Sequence, residues 1–179
     1  MESSRRIEGR VRVVVSGADG LPLFERRAAN VVLRSGAELI AALFRGGSAT
    51  PVNGVAVGVN STPPSPPYEA TALTVAAPDG TPVLQAATSP LDPAMIQVQV
   101  LADELKVRVS LRSVIGPNRA VSPDAGVAAV EIGEAGLGVL APDGNSLSQI
   151  YNRVVFEPVP KARDQEVALY WEVDFPYGA

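Results

Sequence analysis

Only one segment of this chain carries the period of a helix, and that segment is too short to stand alone. It lies within residues 29–60, where NVVLRSGAELIAALFRGG runs from Asn30 to Gly47. Val31, Val32 and Leu33 favour an extended backbone. Ser35 and Glu38 then have the S-x-x-E spacing of a capping box, in which each side chain bonds the other's backbone N–H. Leu39, Ile40, Leu43 and Phe44 fall on one stripe of a helix, and Gly46-Gly47 supplies a left-handed stop. A helix of about ten residues does not persist by itself in water. Its apolar stripe therefore has to lie on a sheet, and the remainder of the chain reads as that sheet.

Alternation is clearest in Ala94–Leu101 and Leu105–Ile115. Ile96, Val98 and Val100 alternate with Gln97 and Gln99. Leu105, Val107, Val109 and Leu111 alternate with Lys106, Arg108, Ser110 and Arg112. With Asp103-Glu104 as the tight turn, this pair predicts a hairpin with one buried and one wet face. Ile7–Val15 alternates in the same way and predicts a hairpin with Leu21–Leu33 across Asp19-Gly20. Gly54–Val59 (GVAVGV) predicts a closely packed strand. Further strands are predicted at Thr71–Ala77, Pro82–Ala87, Val127–Ile132, Leu137–Leu140 and Leu147–Phe156. The closing strand, Val167–Phe175, places Val167, Leu169, Trp171, Val173 and Phe175 on one face, with the only tryptophan as a core anchor.

Between these lie segments that resist a ladder. Asn60–Pro67 (NSTPPSPP) predicts an extended, polyproline-like surface loop. Gly116–Gly126 predicts an exposed loop and a possible minor boundary, and Glu157–Asp164 (EPVPKARD) a wide connection. APDG occurs at Ala77–Gly80 and Ala141–Gly144, but the residues that follow do not match, which marks shared turn chemistry. The fold expected is mainly β: an antiparallel β-sandwich or distorted barrel over a single domain, residues 1–179, with one short helix packed on it.

Composition narrows the chemistry. The chain has 179 residues, enough for a core without staples, and contains neither cysteine nor histidine. Disulfides, thiolate metal sites and every nucleophilic system that uses histidine are therefore excluded. The glycines at 54–58 and 133–138 lack the spacing of a phosphate loop or a dinucleotide fingerprint. Asp103 and Glu104 are adjacent in a turn and point apart, while Asp19, Asp79 and Asp143 each precede glycine as turn formers. The two lysines, Lys106 and Lys161, belong to no S-x-x-K motif; Lys106 is expected on a wet strand face and Lys161 in a loop. Tyr68, Tyr151, Tyr170 and Tyr177 are dispersed, whereas a stacking platform needs aromatics on one face. No catalytic, cofactor-binding or metal-binding residue is assigned, no cofactor is expected, and the chain is not read as an enzyme. The rival readings are a receptor- or glycan-binding sandwich and a hydrolase using carboxylates alone.

The formal net charge is −4, which argues against a nucleic-acid partner, and no small-molecule substrate is indicated. Charge is unevenly spread. Residues 1–60 carry eight arginines against five acids, a net of +3, and residues 61–179 a net of −7. A basic face packing on an acidic face of a neighbour would use that asymmetry. No apolar run reaches membrane-spanning length and Met1–Arg10 is too polar for a signal peptide, so a soluble chain made in the cytoplasm is expected.

Two stretches resemble structural proteins of tailed bacteriophages. In the first, an Asn-led strand (Asn30) precedes a glycine-containing helix start (Gly36). A strand of the form I-A-V-G (Val55-Ala56-Val57-Gly58) and a Thr/Pro-rich loop (Thr62-Pro63) follow, with Asn60 where that pattern has glycine. The second resembles the ending of such proteins. There Tyr151 or Asn152, Arg153, Phe156, Pro158 and Lys161 lead to a final W-x-[IV]-x-F strand, matched by Trp171, Val173 and Phe175. The resemblance extends to phage-derived particles, contractile injection systems and gene-transfer agents among them. It implies a particle subunit, assembled in the bacterial cytoplasm, whose partners are other subunits and copies of itself. Residues 60–67 or 116–126 are then expected at a neighbouring subunit, and the basic arm Arg5–Arg12 on an acidic surface.

Overall fold

A computed structural model describes residues 6–44, 50–62 and 65–178. Its strands are β1 (Glu8–Ser16), β2 (Pro22–Val32), β3 (Gly54–Gly58), β4 (Thr88–Pro90), β5 (Ile96–Leu101), β6 (Lys106–Ile115), β7 (Ala129–Leu140), β8 (Leu147–Ala162) and β9 (Glu166–Pro176), and its one α-helix is α1 (Arg34–Phe44). All nine strands form one sheet in the order β4-β3-β7-β8-β2-β1-β9-β6-β5. Every pairing is antiparallel. The mainly β fold with a single helix is as expected, and the sheet curls into a half-barrel.

The curl turns on β2. Residues 22–30 pair along β1, whereas Val31 and Val32 pair with Arg153 and Asn152 of β8. One strand thus passes from one limb of the sheet to the other, the way strands make the corners of folded sheets. The limbs meet again at the far side, where Ser89 Oγ of β4 donates to the Val114 carbonyl of β6 at 3.0 Å. Between them lies one apolar core. Val11, Val13 and Val15 of β1 face Leu169 and Trp171 of β9, Val55 and Val57 of β3, and Ile132 of β7. Trp171 is fully buried, opposite Val11 and Leu111 on its two neighbouring strands.

Several expectations need correction. Thr71–Ala77 and Pro82–Ala87 form no strands and make only isolated bridges, Ala76 to Pro82 and Gln85 to Val121. The two strands expected at Val127–Ile132 and Leu137–Leu140 are one, β7, whose register shifts between Ile132 and Glu134. Its glycines admit close neighbours: a Cβ at Gly138 would lie 2.1 Å from the Gln149 carbonyl oxygen. The wide connection expected at Glu157–Asp164 is mostly strand, since β8 runs on to Ala162 with Pro160 opposite Glu131. Beyond Arg153 the other side of β8 has no partner strand among the described residues, so Pro158 and Pro160 deprive no ladder there of a donor. Nor is Gly116–Gly126 simply exposed. Ala120, Val121 and Ser122 are buried, and Arg163 donates to the Ser122 carbonyl at 2.8 Å.

The helix differs in its anchoring. It begins at Arg34, so Ser35 lies in the first turn and is not the cap, and Glu38 pairs with Arg34 at 3.6 Å in place of a capping box. The sheet anchors the start of the helix. Leu33 N donates to the Tyr151 carbonyl at 3.1 Å, Ser35 Oγ donates to the Ile150 carbonyl at 2.5 Å, and Gln149 Nε2 donates to the Ser35 carbonyl at 2.9 Å. Gly36 is buried because a Cβ there would stand 2.0 Å from the Tyr151 carbonyl oxygen. Ser35→Ala is expected to destabilise by about 1 kcal/mol through loss of a half-buried hydrogen bond. Glu38→Ala should change stability by at most about 0.5 kcal/mol, because both partners of its ion pair are exposed. Urea midpoints of the two variants check this ordering; equal losses would restore the capping box. The expected stop at Gly46-Gly47 lies outside the described residues.

Candidate functional site

The two limbs of the sheet diverge beside α1, and the gap is an apolar trough of about 370 Å³. Leu91 after β4, Leu111 of β6, Leu137 of β7, Tyr151 of β8 and Val173 of β9 are the buried part of its lining. Leu39, Ile40 and Leu43 of α1 face Ile96 of β5, Val109 of β6 and Phe175 of β9 across it. The helical stripe predicted from sequence is thus only half covered. Leu39 and Ile40 are half-buried, whereas Leu43 is 67% and Phe44 89% exposed.

The apolar surface continues past the trough to the edge of the sheet. In the β5–β6–β9 register, Ile96 stands opposite Leu111, Val98 opposite Val109 and Val100 opposite Val107, and Val109 and Val107 stand opposite Val173 and Phe175. Opposite residues of antiparallel strands share a face, so these side chains form one continuous apolar row. At its edge Val98 is 68% and Val100 65% exposed. The hairpin was legible in the sequence, and the wetness of its apolar face was not. Ile96, Val98 and Val100 have the alternation of core residues, yet they belong to a strand that overhangs the core.

On the outer face, charges are paired across strands. Arg108 donates to both carboxylate oxygens of Asp174, at 2.6 and 2.8 Å, and Lys106 lies 2.9 Å from Asp174 and 2.6 Å from Glu104. The Arg108 hydrogen bonds, helped by Lys106, hold the Asp174 carboxyl down at about 2. Arg12 and Arg112 flank the Tyr170 ring, their guanidinium carbons 5.0 and 5.8 Å from its centroid. Arg12 also pairs with Glu25 at 3.2 Å, and Arg10 with Glu172, so these basic residues are neutralised within their own sheet.

The carboxylates singled out in the sequence are not brought together. Asp103 and Glu104 form a one-turn 3₁₀ segment that closes the β5–β6 hairpin, and Asp79 accepts from Thr81 N at 2.9 Å in its own turn. Among the described residues no three acidic side chains group as metal ligands. The tyrosines stay dispersed: Tyr151 is buried, Tyr170 lies between arginines, and Tyr68 and Tyr177 are exposed at separate places. No described helix is long and apolar enough to cross a membrane.

Two buried charged features escaped the sequence reading. Glu134 is fully buried in β7; its Oε2 accepts from Arg153 Nε of β8 at 2.6 Å, and its Oε1 accepts from Thr74 N at 2.5 Å. The pair clamps the segment that crosses over β3, since Val59 N also donates to the Thr74 carbonyl at 2.9 Å. An acid amid the small and apolar residues of EIGEAGLGVL was the available signal. Lys161, expected in a loop, is in β8 with no exposed surface, and Nζ donates to the Ala162 carbonyl at 3.0 Å.

Burial pushes the Lys161 ammonium from its ordinary 10.5 down to about 8, with Asp164 partly opposing. Between those two values the unfolded chain holds more protons than the native one, so stability rises with pH across that window. Urea midpoints measured at about pH 7.5 and 9.5 should differ by roughly 2 kcal/mol in favour of the higher pH, and Lys161→Met should flatten the difference. A parent whose midpoint is the same at both values would show that Lys161 reaches water.

No family model, no curated protein and no solved structure matches the chain.

Proposed function

We propose that this chain is a structural subunit of a phage or phage-tail-like particle and works through contacts with neighbouring subunits, without a catalytic step. The observation that carries the reading is the apolar row that leaves the core, lines the trough and ends on Val98 and Val100, with Leu43 beside the same opening. Contiguous exposed apolar surface of this kind marks interaction sites. The framework around it is suited to transmitting a contact without yielding. The limbs are tied by Ser89 to Val114, the helix is tied to β8 through Ser35 and Gln149, and Glu134 with Arg153 holds the crossing segment. The resemblance of the Asn30–Pro66 and Leu147–Phe175 stretches to phage structural proteins supplies the kind of assembly.

Electron microscopy of native material, with the subunit detected in purified particles by mass spectrometry, tests the reading. The subunit should co-purify with tail- or head-like particles at a fixed stoichiometry. Recovery only as a free protein, with particles from the same preparation lacking it, would end this reading.

A further inference from the structure

The geometry points to the outer edge of β5 as a pairing edge for a second copy of this chain, joined antiparallel about a two-fold axis at Val98. This rests on the reading of the chain as an assembly subunit and names one of its neighbours.

The sheet has two edges and treats them differently. The β4 edge is three residues long, contains Pro90, and is pinned to β6 through Ser89. Those are the devices by which sheets blunt an edge. The β5 edge has none of them. Ile96–Leu101 reads IQVQVL, six residues with no charge, no proline and no glycine, and no strand pairs with its outer side among the described residues. Its register with β6 runs without a bulge from Ile96 to Leu101, so its unpaired N–H and C=O groups stand in a regular row.

The composition of the strand selects the occupant. Opposed to itself with Val98 facing Val98, the strand sets Ile96 against Val100 and Gln97 against Gln99. Apolar meets apolar on one face and amide meets amide on the other. A slip of one residue would set Gln97 against Val100 and join the apolar face of one copy to the glutamine face of the other. Of the charges near the edge, Arg108, Lys106, Glu104 and Asp174 neutralise one another within each chain. Pairing would also extend the apolar row across the two-fold axis and give Val98 and Val100 apolar neighbours on the side where they now meet solvent. The chemistry recognised is a neutral alternating β-strand, and the chain itself provides one.

The chain has no cysteine, so single-cysteine variants report the register without background. In the proposed pairing the two Val98 side chains are directly opposed, with Cβ atoms about 5 Å apart, within reach of a disulfide after small adjustment. Purified Val98→Cys should give a disulfide-linked dimer under mild oxidation, and Gln99→Cys should not, because Gln99 faces Gln97 of the other copy. Sedimentation of the cysteine-free parent should show a concentration-dependent dimer, abolished in V98K/V100K with an unchanged far-UV spectrum. A parent that stays monomeric with neither cysteine variant linking overturns the proposal, and efficient linking of Gln99→Cys overturns the register. If the parent is monomeric but V98K/V100K fails to enter particles, the edge takes a strand from a different subunit. The second copy is then wrong while the assembly reading stands. If the dimer forms and the protein is absent from particles, the assembly reading fails and the pairing stands.

Discussion

Glu134→Ala should destabilise the protein by about 3–5 kcal/mol, the range for removing one partner of a buried ion pair. Arg153 is buried beside Glu134, so the variant would hold an uncompensated guanidinium away from water. It would also release the Thr74 N–H that Glu134 accepts, loosening the crossing segment. Glu134→Gln keeps one acceptor oxygen, for Thr74 N or for Arg153 but not both, and should lose less than alanine. The paired replacement Glu134→Leu with Arg153→Met removes both charges together and should recover most of the loss, since well-packed apolar pairs often replace buried ion pairs at little cost. Urea unfolding resolves all three. A midpoint for Glu134→Ala within error of the parent would mean that Arg153 finds water, and the clamp would have no role. Hydrogen exchange gives an independent reading, because the amides near Thr74 should lose protection before those of β9.

Trp171→Ala should destabilise by a similar amount, about 3–5 kcal/mol, but for a different reason. Trp171 is the largest fully buried side chain and stands between Val11 and Leu111 in the middle of the core. Its loss removes apolar contact and leaves a cavity that the hydrogen-bonded strands around it cannot collapse to fill. The indole N–H has no hydrogen-bond partner among the described residues, so packing carries the effect. Trp171→Phe should therefore retain much of the stability that alanine loses. If phenylalanine is as damaging as alanine, the nitrogen holds a bond that the packing argument omits. Tryptophan fluorescence of the parent should be blue-shifted and poorly quenched by iodide, and free quenching would place Trp171 at the surface.

These two sites differ in how visible they were beforehand. Trp171 announced itself, because period-two alternation in Val167–Phe175 puts Val167, Leu169, Trp171, Val173 and Phe175 on one apolar face. The β1–β2 and β5–β6 hairpins were legible for the same reason: alternation and a turn are both local. The helix was legible from its period, and the identity of its cap was not. Ser35 has the chemistry of a cap, yet the Ile150 carbonyl, 115 residues away in sequence, takes its hydroxyl.

What local pattern determined is the hairpins β1–β2 and β5–β6, the closing strand β9 and the helix α1, with the apolar side of each, because those follow from backbone sterics and side-chain period. What only the tertiary structure decided is where each strand stands. β2 changes partner between Asn30 and Val31 and so turns the corner of the half-barrel. β8 runs through two prolines because one of its sides is unpaired there. Glu134 and Arg153, on neighbouring strands, satisfy each other's buried charge. β5, apolar on alternate residues like any core strand, lies at the rim with Val98 and Val100 in water. The alternation of IQVQVL states that one face avoids solvent. Whether the core or another chain covers that face depends on strand order, which is set by contacts between residues far apart in the sequence.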